Sequence, residues 1–200
     1  MPKSFNYKKK LTPTKWFFFD LNSKKNQEIL YSLSKEVGVV FFCNSESKNY
    51  SFFKRIQPFI KYCQKKGVKF IIPISNHWAN RYKAFGILIQ DSDIETKNFK
   101  LMNSLKKKYH IACKIHCIKE VIKFKSISDI VFISPVFSTT SHPNREPLKN
   151  YIFLYLCHLL KRKWIFLLGG MNEKNFELKK FNLISGFGAI SSFKNGNARL

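Results

Sequence analysis

Eight short apolar runs with helix-like segments between them constrain this chain more than any other feature. They are Trp16 to Leu21, Gly38 to Cys43, Val68 to Ile74, Gly86 to Gln90, His110 to Ile115, Asp129 to Val136, Trp164 to Gly169 and Ile184 to Ser191. Each is rich in Ile, Val and Phe and is continuous instead of alternating, as a strand covered on both faces of a parallel sheet must be. Between them, the segment Asn49 to Lys66 puts Phe52, Phe53, Ile56, Phe59, Ile60 and Cys63 at three- and four-residue spacing, one apolar helix face that Gly67 ends. A similar period runs through Ile94 to Tyr109, Ile118 to Phe124 and Tyr151 to Leu160. Such alternation leaves an open doubly wound sheet or a closed barrel, and eight strands favour closure. The expected fold is therefore one α/β domain over residues 1–200, a minimal (β/α)8 TIM barrel. Only Phe193 to Leu200 follow the last run, so the closing helix is expected to be short or missing.

The formal charge of +24 invites a polyanion-binding reading. Against it, the lysines are scattered in short groups such as Lys8 to Lys10 and Lys106 to Lys108, and Lys outnumbers Arg severalfold, whereas nucleic-acid footprints favour the guanidinium fork. The lysines read as solvated helix faces, and nucleic acid is not an expected partner. The five cysteines, Cys43, Cys63, Cys113, Cys117 and Cys157, are odd in number and set mostly in apolar runs, so no disulfide framework is expected. Thr12-Pro13 follows the basic N-terminus where a secretory signal would have an apolar stretch. Lys161-Arg162-Lys163 interrupts the most apolar segment, Tyr151 to Leu168, too early for a membrane span. A cytoplasmic location without membrane contact is the expectation.

In barrels of this kind ligands sit at the C-terminal ends of the strands. Gly169-Gly170 follows the seventh run, with Asn172 placed to cap the next helix, and Gly186-Phe187-Gly188-Ala189-Ile190-Ser191-Ser192 forms the eighth. Glycines and hydroxyls after the last two strands can form a phosphate cradle, because bare backbone N–H groups approach a dianion closely, or a tight strand-to-helix turn that holds no ligand. The sixth run leads into Ser138-Thr139-Thr140-Ser141-His142-Pro143, a hydroxyl-rich loop suited to an anion, or equally to an ordinary hydroxyl-stabilised turn. His116, at the exit of the fifth run, could shuttle a proton near neutral pH or be a hydrogen-bonded core residue. Cys113, His116 and Cys117 lack the further ligands that a metal site would need. His77, His110 and His158 read as structural or surface residues. No Walker loop, dinucleotide fingerprint or nucleophile elbow is present.

These segments resemble the thiamine phosphate synthase and thiazole tautomerase superfamily of (β/α)8 barrels. Ser134-Pro135-Val136-Phe137-Ser138-Thr139-Thr140-Ser141-His142-Pro143 is similar to the family's "GPVFPTPTK" loop in its "SPVFPTRSHP" form. Leu167-Leu168-Gly169-Gly170-Met171-Asn172 resembles "ALGGI/M-N", Gly188-Ala189-Ile190-Ser191 resembles "VAVIS", and Gly86 to Asp93 looks like a worn "GVHLGQxD". The resemblance implies that Thr139, Thr140, Ser141, His142, Gly169, Gly170, Gly188, Ile190 and Ser191 bind substrate, and that His116 is the catalytic proton-transfer group.

It further implies joining of a pyrimidine pyrophosphate to a thiazole phosphate with loss of pyrophosphate, assisted by Mg²⁺ on Asp93. The chain departs from that pattern after the second run, where QxRxK is replaced by Phe41-Phe42-Cys43-Asn44-Ser45, and after the third, where Asn-Asp reads Pro73-Ile74. Lys114 or neighbouring lysines would then have to clamp the pyrophosphate. The alternatives are a thiazole tautomerase that uses His116 and needs no metal, and a catalytically degenerate barrel that only binds thiazole phosphate.

Overall fold

The computed structural model describes residues 12–42, 50–90, 93, 99–139 and 145–193. All eight apolar runs form strands: β1 (Lys15–Phe19), β2 (Val37–Phe41), β3 (Phe70–Pro73), β4 (Gly86–Ile89), β5 (His110–Ile115), β6 (Ile130–Ile133), β7 (Trp164–Leu167) and β8 (Ile184–Ala189). They pair in parallel and in chain order, and β8 returns to β1 through Lys15↔Phe187, Trp16↔Gly188 and Phe17↔Ala189. The sheet is a closed barrel. Most runs extend past the hydrogen-bonded ladder at their C-terminal ends because Phe42, Val136 and Leu168 are buried without being strand residues. Apolar character there reports burial around the barrel mouth.

Among the described residues the helices are α1 (Lys24–Ser32), α2 (Tyr50–Lys66), α3 (Asn76–Arg81), α4 (Phe99–Lys108), α5 (Ile118–Phe124), α6 (Asn150–Leu159) and α7 (Glu173–Lys179). Periodicity anticipated α2, α4, α5 and α6; Gly67, at φ +68°, ends α2 as expected. It missed α1, α3 and α7, which are short or bury little: α7 has no buried residue, and α1 buries only Asn26, Ile29 and Leu30. Their start signals were nonetheless in the sequence. Ser23, Ser75 and Asn172 each accept a hydrogen bond from a backbone N–H of the first turn, at 3.3, 3.4 and 2.8 Å. The segment 194–200, where a closing helix was expected to be short or missing, lies outside the described residues.

The core divides along the strand alternation. Phe17, Phe19, Val39, Phe41, Ile87 and Ile89 cluster with the buried faces of the helices, for example Phe53, Ile56 and Ile60 of α2. The alternate set, Trp16, Phe18, Val40, Ile71, Leu88, Ala112, Phe132, Trp164 and Phe166, forms a separate cluster that fills the lumen. Rings dominate it: Phe18 meets Phe132 edge-on at 4.9 Å, and Trp16 lies edge-on to both Phe132 and Phe166. At the N-terminal end His110 sits between Phe85 and Trp164, with ring centroids 4.7 and 4.9 Å away. Small residues make room for these rings. A Cβ on Gly38 would fall on the Trp16 indole, 2.9 Å from Cδ2, and one on Gly188 would meet Phe18 Cε2 at 2.7 Å.

Gly38→Ala is therefore expected to overpack the lumen and destabilise the protein by about 1–3 kcal/mol. Urea unfolding should show the loss, and pairing the substitution with Trp16→Leu should recover part of it. Equal stability of Gly38→Ala and the parent would mean that the lumen is not close-packed.

Candidate active site

The strand C-termini open onto a cavity of about 810 Å³. Its lining comes from nearly every strand exit: Asp20 after β1, Phe42 after β2, Gln90 after β4, Lys114 and His116 at β5, Ser138 and Thr139 after β6, Gly169, Gly170 and Asn172 after β7, and Ile190, Ser191 and Ser192 after β8. The cavity thus brings together His116, Lys114, Thr139, Gly169, Gly170, Ile190 and Ser191, all anticipated from the sequence. Thr140, Ser141 and His142 lie outside the described residues. Gly188 does not line the cavity; it sits one layer lower, where its missing side chain accommodates Phe18.

The two glycines after β7 have left-handed backbone, at φ +88° for Gly169 and +61° for Gly170. A Cβ on Gly169 would meet Pro135 Cα at 2.8 Å, and one on Gly170 would run into the Ser138 carbonyl. The close approach is fixed by hydrogen bonds from Val136 N–H to the Leu168 carbonyl (3.0 Å) and from Phe137 N–H to the Gly169 carbonyl (3.1 Å). The Asn175 side chain donates to the Gly170 carbonyl at 2.6 Å while its backbone N–H donates to Asn172. On the other side the Ser192 hydroxyl donates to the Met171 carbonyl, tying the β8 exit to the β7 loop. The carbonyls of Leu168, Gly169, Gly170 and Met171 are thus all occupied, which holds the turn in place.

Lys114 follows Ala112 by two residues, so it points to the lumen side of β5, at the top layer. Its ammonium lies 4.7 Å from the Phe42 ring centroid and 5.4 Å from that of Phe18. Burial lowers its pKa from 10.5 to about 8, and the Arg145 guanidinium pushes the same way.

His116 is half-buried. Its Nδ1 is 2.7 Å from the Ser134 carbonyl, which can only accept, so the proton is on Nδ1 and the lone pair on Nε2. Its backbone N–H donates to the Glu120 carboxylate, which also accepts from the Cys117 N–H at 3.3 Å at the start of α5. Burial is the largest influence on the imidazole and lowers its pKa below 6.5; Ser134 and Glu120 work against this, Arg145 and Lys114 with it. The ring is neutral at pH 7.

Asp93 holds its carboxylate against the Gln90 N–H at 2.8 Å, is 5% exposed, and is not among the residues that line the cavity. No group of three metal-binding side chains occurs among the described residues, including Cys113, His116 and Cys117. Cys113 belongs to the helix-facing core, and burial pushes its thiol up to about 12, as it does for Cys63 and Cys157; Cys117 is exposed. No described helix is long and apolar enough to cross a membrane. Sequence reasoning missed Arg145, Asp20 and Glu120. The Cys117-to-Glu120 spacing at a helix start was a usable signal for Glu120, whereas one arginine among so many cations carried none.

The family model for thiamine monophosphate synthase matches residues 17–191. Among solved structures, the chain resembles thiamine phosphate pyrophosphorylase from Pyrococcus furiosus (12% identity, 90% of this chain and 86% of that one, TM-score 0.63). It also resembles thiamine phosphate pyrophosphorylase from Bacteroides thetaiotaomicron (19%, 90% and 82%, TM-score 0.51) and an HpcH/HpaI aldolase from Desulfitobacterium hafniense (10%, 95% and 90%, TM-score 0.57). At these identities the structural likeness speaks to the fold alone. No curated protein sequence matches.

Lys114 is a cation held where it is costly. Below pH 8 the folded protein keeps it charged against burial; between about 8 and 10.5 the folded state releases the proton and the unfolded state does not, so stability rises with pH over that window. Lys114→Met should therefore stabilise the protein at pH 7, by up to about 3 kcal/mol, with the advantage fading by pH 10.5. Thermal melts of both proteins across pH check this; a destabilised Lys114→Met at pH 7 would contradict it.

Proposed function

The chain belongs to the thiamine monophosphate synthase family, a family of transferases, and we propose that within it this protein joins a pyrimidine pyrophosphate to a thiazole phosphate with release of pyrophosphate. One observation carries the reading. The rigid Gly169-Gly170 turn and Ser191 share a cavity with two cations, Lys114 and Arg145, and with the neutral His116. In this assignment the thiazole phosphate rests on the cradle, with Thr139 and Ile190 around it. The thiazole nitrogen attacks the pyrimidine methylene as pyrophosphate departs. Charge growing on the leaving group meets Lys114, set against the Phe18 and Phe42 rings, and Arg145 at the exposed rim of the same cavity.

The family's reaction is associated with Mg²⁺, which when bound neutralises the pyrophosphate. The described residues fit a seat for it poorly: of the carboxylates, Asp20 and Glu120 line the cavity but already accept from backbone amides, Asp93 is held on the Gln90 amide outside the lining, and no three metal-binding side chains come together among the described residues. The two cations are assigned that charge-balancing role here.

A second reading has its own support. With Nδ1–H donated to Ser134, His116 Nε2 is a free base, and aromatising a thiazole phosphate needs only a base and a phosphate hold.

Incubation with both substrates, with and without Mg²⁺, should yield thiamine phosphate. Arg145→Ala should raise KM for the pyrimidine pyrophosphate about tenfold or more, for loss of a charge-assisted contact. Gly170→Ala should cut kcat/KM by about a hundredfold through the cradle. Absence of thiamine phosphate under both conditions rejects the synthase. Conversion of the non-aromatic thiazole phosphate then identifies the tautomerase, whose rate should be flat above pH 6.5, fall as the pH drops through the lowered imidazole pKa, and vanish in His116→Ala.

A further inference from the structure

Lys114 is a primary amine in unusual company. Among the described residues no carboxylate or hydrogen-bond acceptor pairs with its ammonium, which rests against the Phe18 and Phe42 rings on the floor of the cavity. The ring faces are its only described support as a cation, while burial and the Arg145 guanidinium act against the charge, so the amine can give up its proton and act as a nucleophile. The proton shuttle that such chemistry requires lines the same cavity, since His116 presents a lone pair on Nε2.

From this arrangement we propose that Lys114 condenses with a small phosphorylated ketone or aldehyde, held by the Gly169-Gly170 cradle, to form a covalent imine. The inference depends on the cavity and not on the thiazole reading. The neutral Nζ attacks the carbonyl carbon, the N–C bond forms, and the carbonyl π pair moves to oxygen. One Nζ proton leaves through His116 Nε2 and one proton reaches the oxygen, giving a neutral carbinolamine. Protonation of its hydroxyl and loss of water leave an iminium, so the ammonium and the carbonyl compound become the iminium and one water, with no oxidant or reductant consumed.

The titratable and charged groups that line the cavity with Lys114 are Arg145, His116, Asp20 and Glu120, of which Arg145 acts on its charge directly. Burial and Arg145 favour the free amine, and at a pKa of about 8 roughly a tenth of it is present at pH 7, against about one part in three thousand for an ordinary lysine.

The test is reductive trapping. The protein is incubated at pH 7 with dihydroxyacetone phosphate and cyanoborohydride, which delivers hydride to the imine carbon, and the modified lysines are quantified by peptide mass spectrometry. Lys114 should be labelled at least tenfold faster than the exposed Lys149, and inorganic phosphate should compete. Unphosphorylated dihydroxyacetone should label Lys114 at least tenfold more slowly. In Lys114→Arg, folded by circular dichroism, the cavity label should disappear while that of Lys149 persists. Labelling of Lys114 no faster than that of Lys149 overturns the proposal, as does equal labelling by the unphosphorylated ketone. Failure of the thiamine phosphate assay with trapping at Lys114 intact would reject the synthase reading and leave this inference standing.

Discussion

The two-residue alternation of strands closed into a barrel decides where each group of this protein can act. On every strand one set of side chains faces the helices and the other faces the lumen, and closure leaves the inward set nowhere to go but against itself. The chain meets that demand with rings, Trp16, Phe18, Phe132, Trp164 and Phe166, set against Gly38, Gly188 and Ala112. Because the lumen is filled from below, the top layer becomes a floor. Lys114 reaches that floor by being in phase with Ala112, and its charge is supported by ring faces instead of by a carboxylate.

The electrostatics follow from the same packing. Lys114, Arg145 and His116 sit close enough to influence one another, and the mutual repulsion together with burial leaves the imidazole neutral and the amine easily deprotonated. An anion bound there would relieve that repulsion, and under the function proposed above the stability given up at Lys114 is the counterpart of readiness for one.

Much of this was legible in the sequence, because two-sided burial writes a continuous apolar run and eight such runs leave few folds open. Strand existence was therefore readable for all eight, while strand ends were not, since Phe42, Val136 and Leu168 are buried beyond the ladder. The helices that carried a strong apolar period were readable too; α1, α3 and α7 bury too little to write one, and only their caps announced them. At the site, Gly169, Gly170 and Ser191 were visible because glycine and hydroxyl residues at strand exits are unusual in an apolar run. Gly188 looked the same in sequence but serves Phe18, a difference of one strand layer that spacing does not reveal. Arg145 reaches the cavity from a connecting segment, and no local pattern marks such a reach.

The filled lumen also governs traffic. With His110, Phe85 and Trp164 stopping the lower end and rings occupying the middle, nothing passes through the barrel, so whatever enters at the upper rim must depart by the same doorway.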